Sequence, residues 1–187
     1  MSTRSSTLST AESRRPLVAE AALTEFSRGG FHGTTVARVA RTAKISPAYV
    51  FKLFPSKESL FVAALEACFT EILGALEHGA DGAPEQKPQP ILDAMGGAYA
   101  ELIADRRLLM LQAHAQSVAD IPEVGDALRA GLKSITTFAK SRSRGSDDAV
   151  QNFVAYGQLC HLLVAARIDE QKAPWAEILS HGIRHPN

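Results

Sequence analysis

The chain has 187 residues, 45% of them hydrophobic, with 20 Lys and Arg against 20 Asp and Glu, which suffices for a packed core in one domain or two small ones. Cys68 and Cys160 belong to no CxxC or Cys/His spacing, which argues against a disulfide framework or structural zinc site and suits a reducing cytosol. No apolar run approaches the roughly 18 residues of a membrane span, so no membrane is expected as a partner. The neutral total hides an asymmetry: residues 1–60 hold nine Lys or Arg and four Asp or Glu, while residues 61–187 hold eleven and sixteen. A basic first third joined to an acidic remainder fits a phosphate-facing head on a body that does not touch nucleic acid.

In chain order, residues 1–10 are polar and Ser/Thr-rich without an apolar signal region, and read as a disordered arm. From about Ala11, Leu17, Ala21, Leu23 and Phe26 trace an apolar helical stripe that stops at Gly29–Gly30. Thr34 or Thr35 caps a second helix whose Val36, Val39 and Ala40 face inward. Lys44–Ile45 form a turn, and Ser46–Pro47 pairs an N-cap with proline at the first helical position. In the third helix Val50, Leu53 and Phe54 face the core, leaving Pro47, Ala48, Tyr49, Phe51 and Lys52 outside. Pro55–Ser56 ends it and caps a long apolar helix from Lys57 to about His78. Residues 79–90 form a Gly/Pro-rich linker. Helical patterns follow over about 91–105, 107–120, 122–143, 147–169 and 174–184. The expected fold is all-α, about nine helices: an arm (1–10), a three-helix head (11–56) and a helical body (57–187).

Two short helices across a tight turn, the second free to enter a major groove, is a DNA-binding geometry. The segment FHGTTVARVARTAKISPAYVFKLFPSKESLF (31–61) resembles the helix-turn-helix signature of the TetR family of bacterial transcriptional regulators. That resemblance implies a homodimer on a palindromic double-stranded DNA operator, and a ligand in the body that weakens DNA binding. The DNA-facing candidates are Thr35, Arg38, Ser46, Pro47, Ala48, Tyr49, Phe51, Lys52 and Lys57. Arg41 is a further candidate, and Arg14, Arg15 and Arg4 form a possible basic arm. Phe51 departs from the family, where this position is commonly tyrosine with a hydroxyl expected to meet phosphate.

For an unidentified small apolar or aromatic ligand, the candidate pocket residues are Phe69, Ile72, Met95, Tyr99, Met110, His114, Phe138, Tyr156 and Cys160, with His114 and Tyr156 foremost because a buried polar tip needs a partner. The last helices carry more apolar surface than one inward face needs, so Phe153, Leu159, Leu163, Trp175, Ile178 and Leu179 are expected at a dimer seam. His181 and His185 have i,i+4 spacing but no third ligand, and no cofactor or metal is expected. No nucleophile elbow, zinc-protease motif, P-loop or dinucleotide fingerprint is present, so an enzyme is not expected. The expected function is a ligand-responsive, sequence-specific DNA-binding repressor. The alternative is a dimeric small-molecule-binding protein with a weakened or unused head.

Overall fold

The structure, a computed structural model, describes residues 3–168 and 170–182, with side chains from Ser13 onward. Arg4 and His185 therefore lie outside the described side chains. Among the described residues there are nine helices and no strand: α1 (Thr3–Gly33), α2 (Val36–Thr42), α3 (Pro47–Leu53), α4 (Lys57–Asp81), α5 (Pro88–Leu102), α6 (Arg106–Ser117), α7 (Pro122–Ser143), α8 (Asp147–Ala165) and α9 (Pro174–Ser180). The all-α expectation holds.

Local chemistry explains most boundaries. Thr35 caps α2 by accepting from the Arg38 amide at 3.3 Å, and Ser46 caps α3 by accepting from the Tyr49 amide at 3.2 Å. Ser56 and Ser59 cap α4 reciprocally, each hydroxyl accepting the other's backbone N–H at 3.0–3.1 Å. Gly30, at φ 64°, interrupts the end of α1 with a backbone that side chains rarely tolerate. Three expectations change. Helix α1 begins at Thr3, inside the stretch read as an arm, since no Gly or Pro breaks it before Pro16. The 79–90 linker shrinks to residues 82–87, because Pro88 and Pro90 sit in the first turn of α5, where free N–H groups are not needed. Leu17 is 64% exposed; the stripe that faces the core is Val18, Ala22, Glu25 and Phe26.

The chain divides into two compact units, Met1–Cys68 with Leu111–Arg129, and Phe69–Met110 with Ala130–Asn187. In the first, Phe61 lies edge-on to both Phe26 and Phe31, with ring centroids 4.9 and 5.5 Å apart. Val39, Ala40, Val50, Leu53, Phe54 and Leu60 are buried with them, and each large side chain so buried contributes about 1.5–3 kcal/mol. Through this core runs a polar clasp on Glu25, which is 7% exposed. Its Oε1 accepts from the Thr42 hydroxyl at 2.7 Å, and its backbone carbonyl accepts from Thr34 at 3.0 Å. Its Oε2 lies 2.9 Å from Arg38 Nη2, an ion pair whose angles fall short of a hydrogen bond.

In the second unit α5 packs on α8. Gly131 of α7 admits the Phe69 ring so closely that a Cβ there would lie 2.1 Å from two ring carbons. Helix α4 is long and apolar enough by length and composition to cross a membrane, with mean hydropathy 1.7 over its best window. It nonetheless carries Glu66 and Glu71 within that stretch and buries Leu60, Phe61, Ala64, Leu65, Cys68, Phe69, Ile72 and Leu76, as a core helix does.

Two stability tests follow from this packing. Glu25→Ala leaves the Thr42 hydroxyl without its acceptor and Arg38 without its ion-pair partner, and is expected to lower stability by about 1–3 kcal/mol in denaturant melts; an unchanged midpoint contradicts the clasp. Gly131→Ala is expected to destabilise by about 1–2 kcal/mol despite alanine's better helix propensity, because overpacking outweighs it. Introduced into a Phe69→Leu background, the same change should be neutral or stabilising.

Candidate nucleic-acid interface

Helix α3 has seven residues, too few to be stable alone, so its placement comes from its surroundings. Its inner side is closed: Val50, Leu53 and Phe54 are 0, 4 and 2% exposed. The turn before it contains Lys44 at φ 55°. What remains outside is one contiguous face of Pro47, Ala48, Phe51 and Lys52, all exposed, with Tyr49 half-buried beside them. The Lys52 ammonium lies 5.9 Å from the centroid of the Tyr49 ring, so a cation and an aromatic hydroxyl are presented together. Phe51 is 49% exposed. An aromatic ring half in water on a helix whose core face is full has no folding purpose.

The flanking candidates divide. Thr35 and Ser46 are exposed caps, and their hydroxyls still have hydrogens to donate while accepting from the backbone. Lys57, in the first turn of α4, holds its ammonium 4.7 Å above the Phe31 ring. Arg41 is exposed, as is Lys44 of the turn, a cation the sequence reading passed over because it served there only as a turn residue. Arg38 reaches toward Glu25, its Nη2 2.9 Å from Oε2, while 44% of its side chain stays exposed. Arg15, read as part of a basic arm, instead donates through Nη1 to the Leu53 carbonyl at the end of α3 and lies 4.4 Å over the Phe54 ring.

The candidate pocket residues fall in both units. Phe69, Ile72, Met95, Tyr99 and Cys160 are buried, and Met110 and Phe138 partly so. Tyr156 is 58% exposed and cannot line an interior site; it falls on the outer side of α8. His114 lies in the first unit. A Cβ at Gly30 would come 3.0 Å from its ring, and its Nε2 is buried without a partner. A groove of about 450 Å³ between α7 and α8 is lined by Thr136, Lys140, Asp147, Val150, Gln151, Val154 and Ala155, none of them a pocket candidate. The Lys140–Asp147 ion pair at 2.7 Å bounds it, and the Lys140 ammonium holds the Asp147 carboxyl below the usual carboxylate range.

The buried polar pair of the second unit joins α5 to α8: the Tyr99 hydroxyl hydrogen-bonds His161 Nε2, while His161 Nδ1 is buried without a partner. His161 was missed because it sits among apolar residues of α8 with no motif around it. Cys160 beside it is a poor redox sensor, since burial pushes its thiol up, away from the reactive thiolate; Cys68 is fully buried. On the seam, Leu163 is 0% exposed and belongs to the chain's own core, with its neighbour Leu162 outside at 53%. Phe153, Leu159 and Leu179 are partly buried, while Trp175 and Ile178 stand out at 53 and 74%.

Desolvation pushes the His161 imidazole down to about 4 from its ordinary 6.5. Between those values the unfolded chain holds this proton and the folded chain does not, so stability falls as pH drops from 6.5 and the loss levels off below about 4. Comparing wild type with His161→Gln in denaturant melts at pH 7 and pH 4, the wild type is expected to lose about 3 kcal/mol more than the variant. Parallel losses contradict a neutral buried imidazole.

With caps, turn and outer face in place, comparison with known proteins is direct. A sequence model described as bacterial regulatory proteins, tetR family, matches residues 18–64. The HTH-type transcriptional regulator RutR of Escherichia coli K12 is 40% identical over 52 residues, 28% of this chain and 24% of RutR, so the match spans about a quarter of that relative's length. The fold extends further. A transcriptional regulator from Rhodococcus sp. Rha1 superposes with TM-score 0.69 at 22% identity over 90% of this chain and 91% of its own. FadR from Bacillus subtilis, solved with stearoyl-CoA, superposes with TM-score 0.66 at 15% identity over 90% and 98%. The helix-turn-helix stretch thus matches the model of the tetR family of bacterial regulatory proteins in sequence, and about nine-tenths of the chain shares the fold of these solved regulators.

Proposed function

We propose that the chain is a cytoplasmic transcriptional repressor that binds a palindromic double-stranded DNA operator as a homodimer and is released by a small apolar or aromatic ligand. The observation that carries the DNA reading is the face of α3: Pro47, Ala48, Phe51 and Lys52 are exposed on a helix whose opposite side is buried. Small Pro47 and Ala48 permit close approach, Tyr49 and Lys52 supply donors for base edges or phosphate, and Thr35, Ser46, Arg41, Lys44 and Lys57 surround them with phosphate partners. RutR, similar over this segment, is a transcriptional regulator.

Pairing is supported by Tyr156, Leu162, Trp175 and Ile178, large apolar side chains more than half exposed on α8 and α9, a surface that a second copy would cover. Two heads about 34–36 Å apart would meet successive major grooves. Ligand response is supported by the Tyr99–His161 pair, a buried polar site amid Met95 and Cys160, and by a neighbour of the same fold that was solved with stearoyl-CoA. Ligand would favour a head spacing that no longer fits the operator. No catalytic step belongs to this reading.

Phe51 favours a second reading, a ligand-binding dimer whose head binds DNA weakly, because it lacks the hydroxyl that would meet phosphate. Fluorescence anisotropy on a duplex selected from a random pool, across a salt series, separates the two. The repressor reading expects steep salt dependence and at least about a thousandfold preference over a shuffled duplex. Lys52→Ala should reduce the salt slope by about one if its contact is to phosphate. Phe51→Tyr should tighten binding several-fold, since its ring is already in water. Equal affinity for both duplexes supports the weakened head.

A further inference from the structure

Helix α3 ends in the open. After Leu53 the backbone turns extended at Phe54, with φ −131° and ψ 107°; the Phe54 N–H still donates to the Val50 carbonyl at 2.8 Å, but the helix cannot continue to serve the carbonyls that follow. One is taken from outside: Arg15 of α1 donates Nη1 to the Leu53 carbonyl, and its guanidinium carbon lies 4.4 Å from the centroid of the Phe54 ring. Phe54 is 2% exposed and fixed in the core, so the ring is a stationary platform for the cation. Phe51 and Lys52 precede Leu53 directly. The N-terminal end of α3 is held by the Ser46 cap and the turn; the C-terminal end is held by Arg15.

We propose that Arg15 is a positioning residue of the recognition helix rather than a phosphate contact: it sets the angle at which α3 presents Tyr49, Phe51 and Lys52. This rests on the DNA-binding reading of α3. The guanidinium makes both contacts at once, Nη1 to the carbonyl and its central carbon over the ring. Lysine, a point charge without that plane, replaces neither geometry while retaining the charge.

The charge-conserving variant makes the test decisive. Wild type, Arg15→Ala and Arg15→Lys are compared by anisotropy, well below their melting temperatures, on a duplex selected from a random pool by the wild type and on a shuffled duplex of equal length, across a salt series. Deuterium exchange over residues 47–54 is followed in the absence of DNA. The expected result is that both variants lose about tenfold or more on the selected duplex, the size of one good base contact. Affinity for the shuffled duplex and the salt slope should be unchanged, and exchange should rise in 47–54 but not in 57–68. A salt slope lowered by about one, equal weakening on both duplexes and rescue by Arg15→Lys would instead make Arg15 a phosphate contact and overturn the proposal. Unchanged binding and exchange in both variants would also overturn it. A wild type that selects no duplex refutes the DNA reading itself, a result distinct from variants that bind as well as a competent wild type.

Discussion

The head depends on α1 acting as a splint. Two seven-residue helices, α2 and α3, cannot hold a shape on their own, yet a reading surface needs one. Helix α1 grips both through polar contacts: Arg15 reaches the end of α3, and Glu25, ten residues on, holds Arg38 and Thr42 of α2. At 1.5 Å per residue these grips lie about 15 Å apart along the same rod. Between them Val18 and Ala22, with Phe26 just beyond, supply apolar burial. The burial gives most of the stability; the polar contacts, being directional, fix the angles.

The same division between apolar mass and directional polar groups recurs in the second unit. Ile91, Leu92 and Met95 of α5 and Val150 and Leu163 of α8 are ordinary core, and the Tyr99–His161 pair is the directional feature between the two helices. A neutral imidazole with a free nitrogen inside an apolar helix pair is costly for folding, which is why it stands out from the buried leucines as a feature with a use. The outer side of α8 and α9 shows the opposite cost, large apolar groups left in water.

The head was legible in the sequence because its signals are local. Caps at Thr35, Ser46 and Ser56, a proline at the first position of α3, and apolar residues at i, i+3, i+4 each act within a few residues, and the inward and outward faces of α3 follow from them. What the sequence did not disclose depends on long-range geometry. Arg15 and Arg38 looked like free cations, but one meets a carbonyl 38 residues away and the other a buried glutamate. Leu162 and Leu163 are equivalent as letters, and only the helix phase makes the first exposed and the second buried. Tyr156 and His114 were chosen for the body's polar site on chemistry alone; the residue that pairs with Tyr99 is His161, 62 positions away.

The central claim is that DNA meets the outer face of α3 and its flanking caps. Titrating the isotopically labelled chain with a selected duplex and following backbone amide shifts tests it most directly. The account predicts the largest changes at Thr35, Lys44 and residues 46–52, with α8 and α9 little affected. Changes centred on α8 and α9, or none at saturating DNA, would contradict it.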